Sequence, residues 1–181
     1  MKYLDPDGRE LVADSNIKNY LNDGITYLSK SESARFYIYN LTKTPQKVYI
    51  KEVNGVNKDR FDPNTNTIYW DPLSTILASN DVYNSPAVCL AHEFVHAFLH
   101  TEKGKKILDK KIEQIRIMLG VEKFSEAEKE YLIEQIVTKE EQKIANELNE
   151  YEGRKDYFDY ATDKGEGIEV KVSSPSQFGE L

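Results

Sequence analysis

The sequence predicts an α+β fold, a small and mostly antiparallel sheet followed by helices. Residues 35–70 hold β-branched and aromatic runs separated by turn residues, the signature of short strands. From residue 85 onward apolar residues recur at helical spacing. The second half is also punctuated like helices, by Ser85-Pro86, by Gly120 and by Ser125-Glu126-Ala127-Glu128. Strands first and helices afterwards argue for segregated layers, and 181 residues suit one domain.

In chain order, residues 1–13 read as an irregular lead-in, because Asp5-Pro6-Asp7-Gly8-Arg9 is turn chemistry. The domain proper is expected to span 14–181. A weak helix over about 14–30 places Ile17, Leu21 and Leu28 on one side, with Gly24 interrupting it. Strands are expected at Arg35–Tyr39 and Lys47–Val53. A turn at Asp62-Pro63-Asn64-Thr65-Asn66 leads into the short strand Thr67–Trp70, which Asp71-Pro72 stops. Ser85 caps a helix from Ala87 to about Thr101 that ends near Gly104, with proline in the first turn, where its missing N–H is harmless. A second helix over 105–119 carries the stripe Leu108, Ile112, Ile115 and Leu119, and Gly120 stops it. The capping box at Ser125 opens a long helix to about Tyr151, and Ile168–Val172 reads as a late strand.

Composition excludes several classes. Aromatic residues at 11% are too many for a disordered chain. Cys89 is the only cysteine, so there is no disulfide framework. No apolar run approaches the roughly 20 residues of a membrane span, and Met1–Asp7 has no signal-peptide core. A net charge of -7 makes nucleic acid a poor partner.

One short motif carries chemistry. His92-Glu93-Phe94-Val95-His96 fits H-E-x-x-H inside the most strongly helical segment. Histidines at i and i+4 are separated by about 6 Å of rise on one face, so both imidazoles can reach one ion. Zinc suits that bite, and one zinc is expected. Glu93 sits beside the pair and is assigned as general base toward water activated by the metal. The apolar run Ala87–Ala91 implies a helix buried enough to hold a fixed site. The competing reading is a chance match on a polar helix surface.

The remaining assignments are less direct. His100 lies roughly 12 Å of rise from His92, beyond a shared ion, and reads as a helix-end residue where a cation suits the dipole. A third ligand should be a carboxylate from elsewhere. Val137, Ile144 and Leu148 form a stripe with Glu141 at its i+4 place, and a carboxylate on an apolar stripe needs a partner or a metal. Glu141 is therefore preferred to its neighbour Glu140, with plain helix surface as the alternative for either. Thr67–Trp70 is expected near the cleft, holding substrate in extended form, unless it is a core strand. Tyr157 is expected to donate to the oxyanion, or else to be one of 12 tyrosines used for packing.

Asn66–Pro72, Leu90–Ala97, Glu140-Glu141, Asn149-Glu150, Gly153-Arg154 and Tyr157 together resemble one zincin family. Its best-known members are injected bacterial effectors that cleave host MAP kinases, and related domains occur as C-terminal toxins of Rhs-repeat proteins. Tyr3–Arg9 separately resembles the end of an Rhs core. The resemblance implies a gluzincin-like zinc endopeptidase delivered from a bacterium into the cytoplasm of a target cell. It further implies a protein substrate there, a cognate immunity protein and an Rhs delivery shell, with no nucleic acid and no membrane as partners. The alternative, from a different class, is a zinc-binding interaction module whose metal is structural or whose site is degenerate.

Overall fold

The computed structural model describes residues 11–55, 58–77, 82–150 and 168–180. The chain is α+β, but helices and strands interleave rather than segregate. The order is β1 (Leu11–Ala13), α1 (Lys18–Leu28), α2 (Glu32–Thr42), β2 (Val48–Glu52), β3 (Arg60–Asp62), β4 (Thr67–Trp70), β5 (Ser74–Leu77) and β6 (Val82–Tyr83). Then follow α3 (Pro86–Leu99), α4 (Glu102–Leu119), α5 (Glu126–Glu147), β7 (Ile168–Lys171) and β8 (Gly179–Glu180).

Arg35–Tyr39, expected as a strand, lies inside α2. The Ser31 hydroxyl accepts from the Ala34 N–H and starts the helix. Ala34, Tyr37, Ile38 and Leu41 are then buried at i, i+3, i+4 and i+7. Burial on that face outweighs the strand preference of the aromatic residues.

Nor is there one mostly antiparallel sheet. The first sheet is ordered β1-β2-β4-β3, with β1, β2 and β4 parallel and β3 antiparallel to β4. Parallel neighbours need a long crossover, and α1 with α2 supplies it between β1 and β2. The second sheet, β7-β5-β6-β8, is antiparallel throughout. Leu11–Ala13 pairs with β2, so it belongs to the domain and not to a lead-in. Tyr3–Arg9 lies outside the described residues.

α3 is the axle of the fold. Every residue in it is buried except Cys89 and His96, as a helix apolar nearly all round demands. It packs against α1, α2, α4, α5 and both sheets. Its N-terminus is fixed from several directions. The Ser85 hydroxyl accepts from Val88 N–H, the indole N–H of fully buried Trp70 donates to Pro86 O at 2.9 Å, and Ala87 N–H donates to Pro175 O. At the other end His100 is the C-cap and Thr101 already caps α4. Gly104 is therefore not the stop of α3. It sits in the first turn of α4, where a Cβ would lie 1.9 Å from Phe98 O, so only glycine permits this close approach. Gly120 ends α4 with φ +66°, and the Ser125–Glu128 capping box opens α5 as the sequence implies.

Candidate metal centre

α3 and α5 build the site between them. The His92 and His96 rings project from successive turns of α3, and their Nε2 atoms lie 3.1 Å apart. The third member is Glu134 of α5. Its Oε1 lies 3.3 Å from His96 Nε2 and its Oε2 lies 3.8 Å from His92 Nε2. Two ligand atoms each about 2.0–2.1 Å from one tetrahedral ion sit roughly 3.3 Å apart. The three observed separations bracket that value, so this donor set fits a single metal ion.

Glu141, expected as the third ligand, stands behind the cluster instead. Its Oε2 is 2.7 Å from His92 Nδ1, and its side chain is 6% exposed. A carboxylate only accepts, so Nδ1 carries the hydrogen and the Nε2 lone pair points toward the cluster. Such a partner fixes the ring tilt and the tautomer. Glu140 takes no part in the cluster and pairs with Lys111 Nζ at 3.2 Å. The Glu134 side chain is 27% exposed, so the cluster lies nearer the surface than the Glu141 carboxylate behind it.

Glu93 is buried on α3 next to His92. Its charge reaches Asp59, in the loop before β3. Burial holds the Asp59 carboxyl well above the usual carboxylate range. The Asp71 N–H, 2.8 Å from Asp59 Oδ1, opposes that shift, and the charges of Glu93, Asp71 and Glu169 add to it. Glu134 is absent from the sequence-based expectations. Glu134 had one usable signal: it lies two helical turns before Glu141, on the same face of α5.

Glu150, just beyond α5, anchors the other end of the helix. Ser85 N–H donates to its Oε2 at 2.7 Å and Ser85 O–H to its Oε1 at 2.6 Å. Burial nevertheless raises the Glu150 carboxyl above its ordinary value, with those two donors pulling against it. α3 is thus clamped to α5 at His92 and at Ser85.

His100 is an exposed helix-end residue against the Phe61 ring, with centroids 5.2 Å apart. Partial burial, then Lys105 and His96, lower its pKa. It therefore does not favour the cationic form expected from the helix dipole. Thr67–Trp70 is a central strand between β2 and β3, with Ile68 and Trp70 fully buried. An extended ligand cannot pair with it, and the edge of the described sheet beside α3 is β3. Tyr157 and Arg154 lie outside the described residues. No family model, curated protein or solved structure matches the chain.

Proposed function

We propose that the protein is a zinc-dependent endopeptidase, with His92, His96 and Glu134 holding the metal. The observation that carries this reading is the convergence of two Nε2 atoms and one carboxylate within 4.8 Å, with Glu93 the next residue after His92 on the same helix. Two imidazoles and a carboxylate suit zinc and leave a coordination position for water, whereas structural zinc is usually closed by four protein ligands. When bound, such an ion supplies Lewis acidity, which acidifies water and polarises a carbonyl.

The chain's own residues do the rest. Glu93 accepts the proton of the attacking water on its carboxylate and passes it to the leaving amine. Glu141 holds His92 in the tautomer that offers Nε2. β3, at the sheet edge, offers main-chain groups to which an extended peptide can add. The setting of a bacterial effector or Rhs-borne toxin acting inside a target cell is part of the proposal, and it rests on the resemblance of residues 3–9 and of roughly residues 60–160.

Glu93→Gln tests the mechanism. The variant should retain about one zinc per chain and lose hydrolysis, read by proteomic comparison of its cleavage products with those of wild type. Cleavage by the variant equal to wild type, on a substrate whose hydrolysis needs the metal, removes the base role. A wild type that binds zinc and cleaves nothing across a proteome points to the interaction module.

A further inference from the structure

Beyond Ile107 and Leu108, which pack on the core, α4 forms with the first half of α5 an arm that the core does not cover. Within α4 only Gly104 is buried, and α5 joins the core only from about Ile133 onward. At the end of α4, Ile117, Met118 and Leu119 are 64%, 77% and 59% exposed. Consecutive helical positions point about 100° apart, so these three expose a broad arc of the helix end. Between the two helices runs an open groove of about 340 Å³, lined by Ile115, Met118 and Ile136 together with charged Lys111, Lys139 and Glu140. Clustered exposed apolar side chains of this kind mark a candidate interaction surface.

Charge narrows the choice of partner. α4 carries six basic against three acidic residues, although the whole chain has a net charge of -7. The first eight residues of α5, before Glu134, carry three acidic against one basic. The arm is therefore positive along one helix and negative along the next. Such a surface complements a copy of itself turned through 180°. An anionic bilayer fits poorly, because exposed Glu122, Glu126, Glu128 and Glu130 border the apolar tip.

We propose that the arm pairs with the arm of a second copy about a two-fold axis, α4 of each lying along α5 of the other. The apolar tip of each copy then enters the groove of its partner, a helix-in-groove contact that both copies make at once. α4 is about 27 Å long. Side by side, two such arms offer faces on the scale of the roughly 800 Å² per partner that a standard interface buries.

Sedimentation equilibrium on the full chain, from micromolar to near-millimolar concentration, tests this. Wild type should dimerise reversibly. The pair Ile117→Glu and Met118→Glu should leave a monomer with unchanged far-UV circular dichroism. Reversing Lys106 and Lys110 to Glu, or Glu126 and Glu130 to Lys, should each raise the dimer dissociation constant roughly tenfold or more. An equimolar mixture of the two reversed proteins should recover a heterodimer. A wild type that stays monomeric throughout overturns the proposal, as does an undiminished dimer in the tip variant. Failure of the mixture to associate removes the α4-to-α5 arrangement. Monomeric wild type that cosediments with phosphatidylserine vesicles assigns the surface to membranes instead. None of these readouts depends on zinc or on hydrolysis, so the outcome is separate from that of the proposed activity.

Discussion

Glu134 and Glu141 lie two turns apart on α5, and the geometry gives them different tasks that one pair of substitutions separates. Glu134 places an oxygen 3.3 Å from His96 Nε2 and another 3.8 Å from His92 Nε2, the spacing of atoms sharing one ion. Glu134→Ala therefore removes a ligand. Glu141 meets His92 at Nδ1, away from the cluster, so Glu141→Ala acts through ring orientation and tautomer, effects typically worth about 10–100-fold in metal affinity. The loss from Glu134→Ala should be larger than that. Stability without metal should rank the other way. Glu141 is 4% exposed, and its removal leaves a buried imidazole N–H without an acceptor, at about 1–3 kcal/mol. Glu134 is more open, and its removal strands no buried donor at Nδ1. The assays are a competition titration against a chromophoric zinc chelator and a thermal melt in excess chelator. Equal affinity loss in the two variants would refute the reasoning, as would Glu134→Ala binding zinc like wild type. A metal-free melting temperature lowered by Glu134→Ala and not by Glu141→Ala would also refute it.

Two further outcomes follow from packing and charge. Burial pushes the Glu147 carboxyl up, but Ser31 O–H and the N–H and O–H of Ser33, with Lys143 nearby, more than offset it. Its folded pKa therefore lies below the unfolded one, so its stabilising contribution is complete above the ordinary carboxylate range and fades as pH falls through the folded value. Glu147→Gln should flatten the acid side of a melting-temperature profile between pH 3 and 7, roughly the range over which such a carboxylate titrates, and a profile parallel to wild type would count against the assignment. Gly104→Ala sets two effects against each other. Helix propensity favours alanine by about 1 kcal/mol, whereas the new Cβ would meet the Phe98 carbonyl oxygen at 1.9 Å. The clash is with backbone and should win by about 1–3 kcal/mol, measured by urea denaturation, and a stabilised variant would show that the α3–α4 joint yields.

The helical half of the fold was legible because its boundaries are written in single residues. Ser85-Pro86, Gly120 and the Ser125–Glu128 box start and stop helices by local hydrogen bonds and a left-handed turn, whatever surrounds them. His92 and His96 were legible for the same reason, since i, i+4 spacing is enough to put both on one face. α2 was not, because Phe36, Tyr37, Ile38 and Tyr39 favour strands locally and only the buried face of α2 decides otherwise. The parallel pairing of β1 was hidden in three residues, Leu11–Ala13, too few to show a period. At the third position, an apolar stripe at helical spacing singles out the most deeply buried carboxylate of α5, Glu141. The carboxylate that meets the histidine Nε2 atoms sits instead where the helix leaves the core, at Glu134.

α5 works as a gauge block. Along one rigid rod, with Glu150 just past its end, acids at 134, 141, 147 and 150 meet the histidine pair, the back of His92, the start of α2 and the start of α3 in turn. One residue inserted or deleted between 135 and 146 would swing everything beyond it by about 100° and shift it by about 1.5 Å. At least two of these meetings would fail together, and no single compensating substitution could restore them. Whole turns added or removed before Ile133 would leave all four untouched. Length variation in descendants of this chain should therefore fall in the arm and stop abruptly at Glu134.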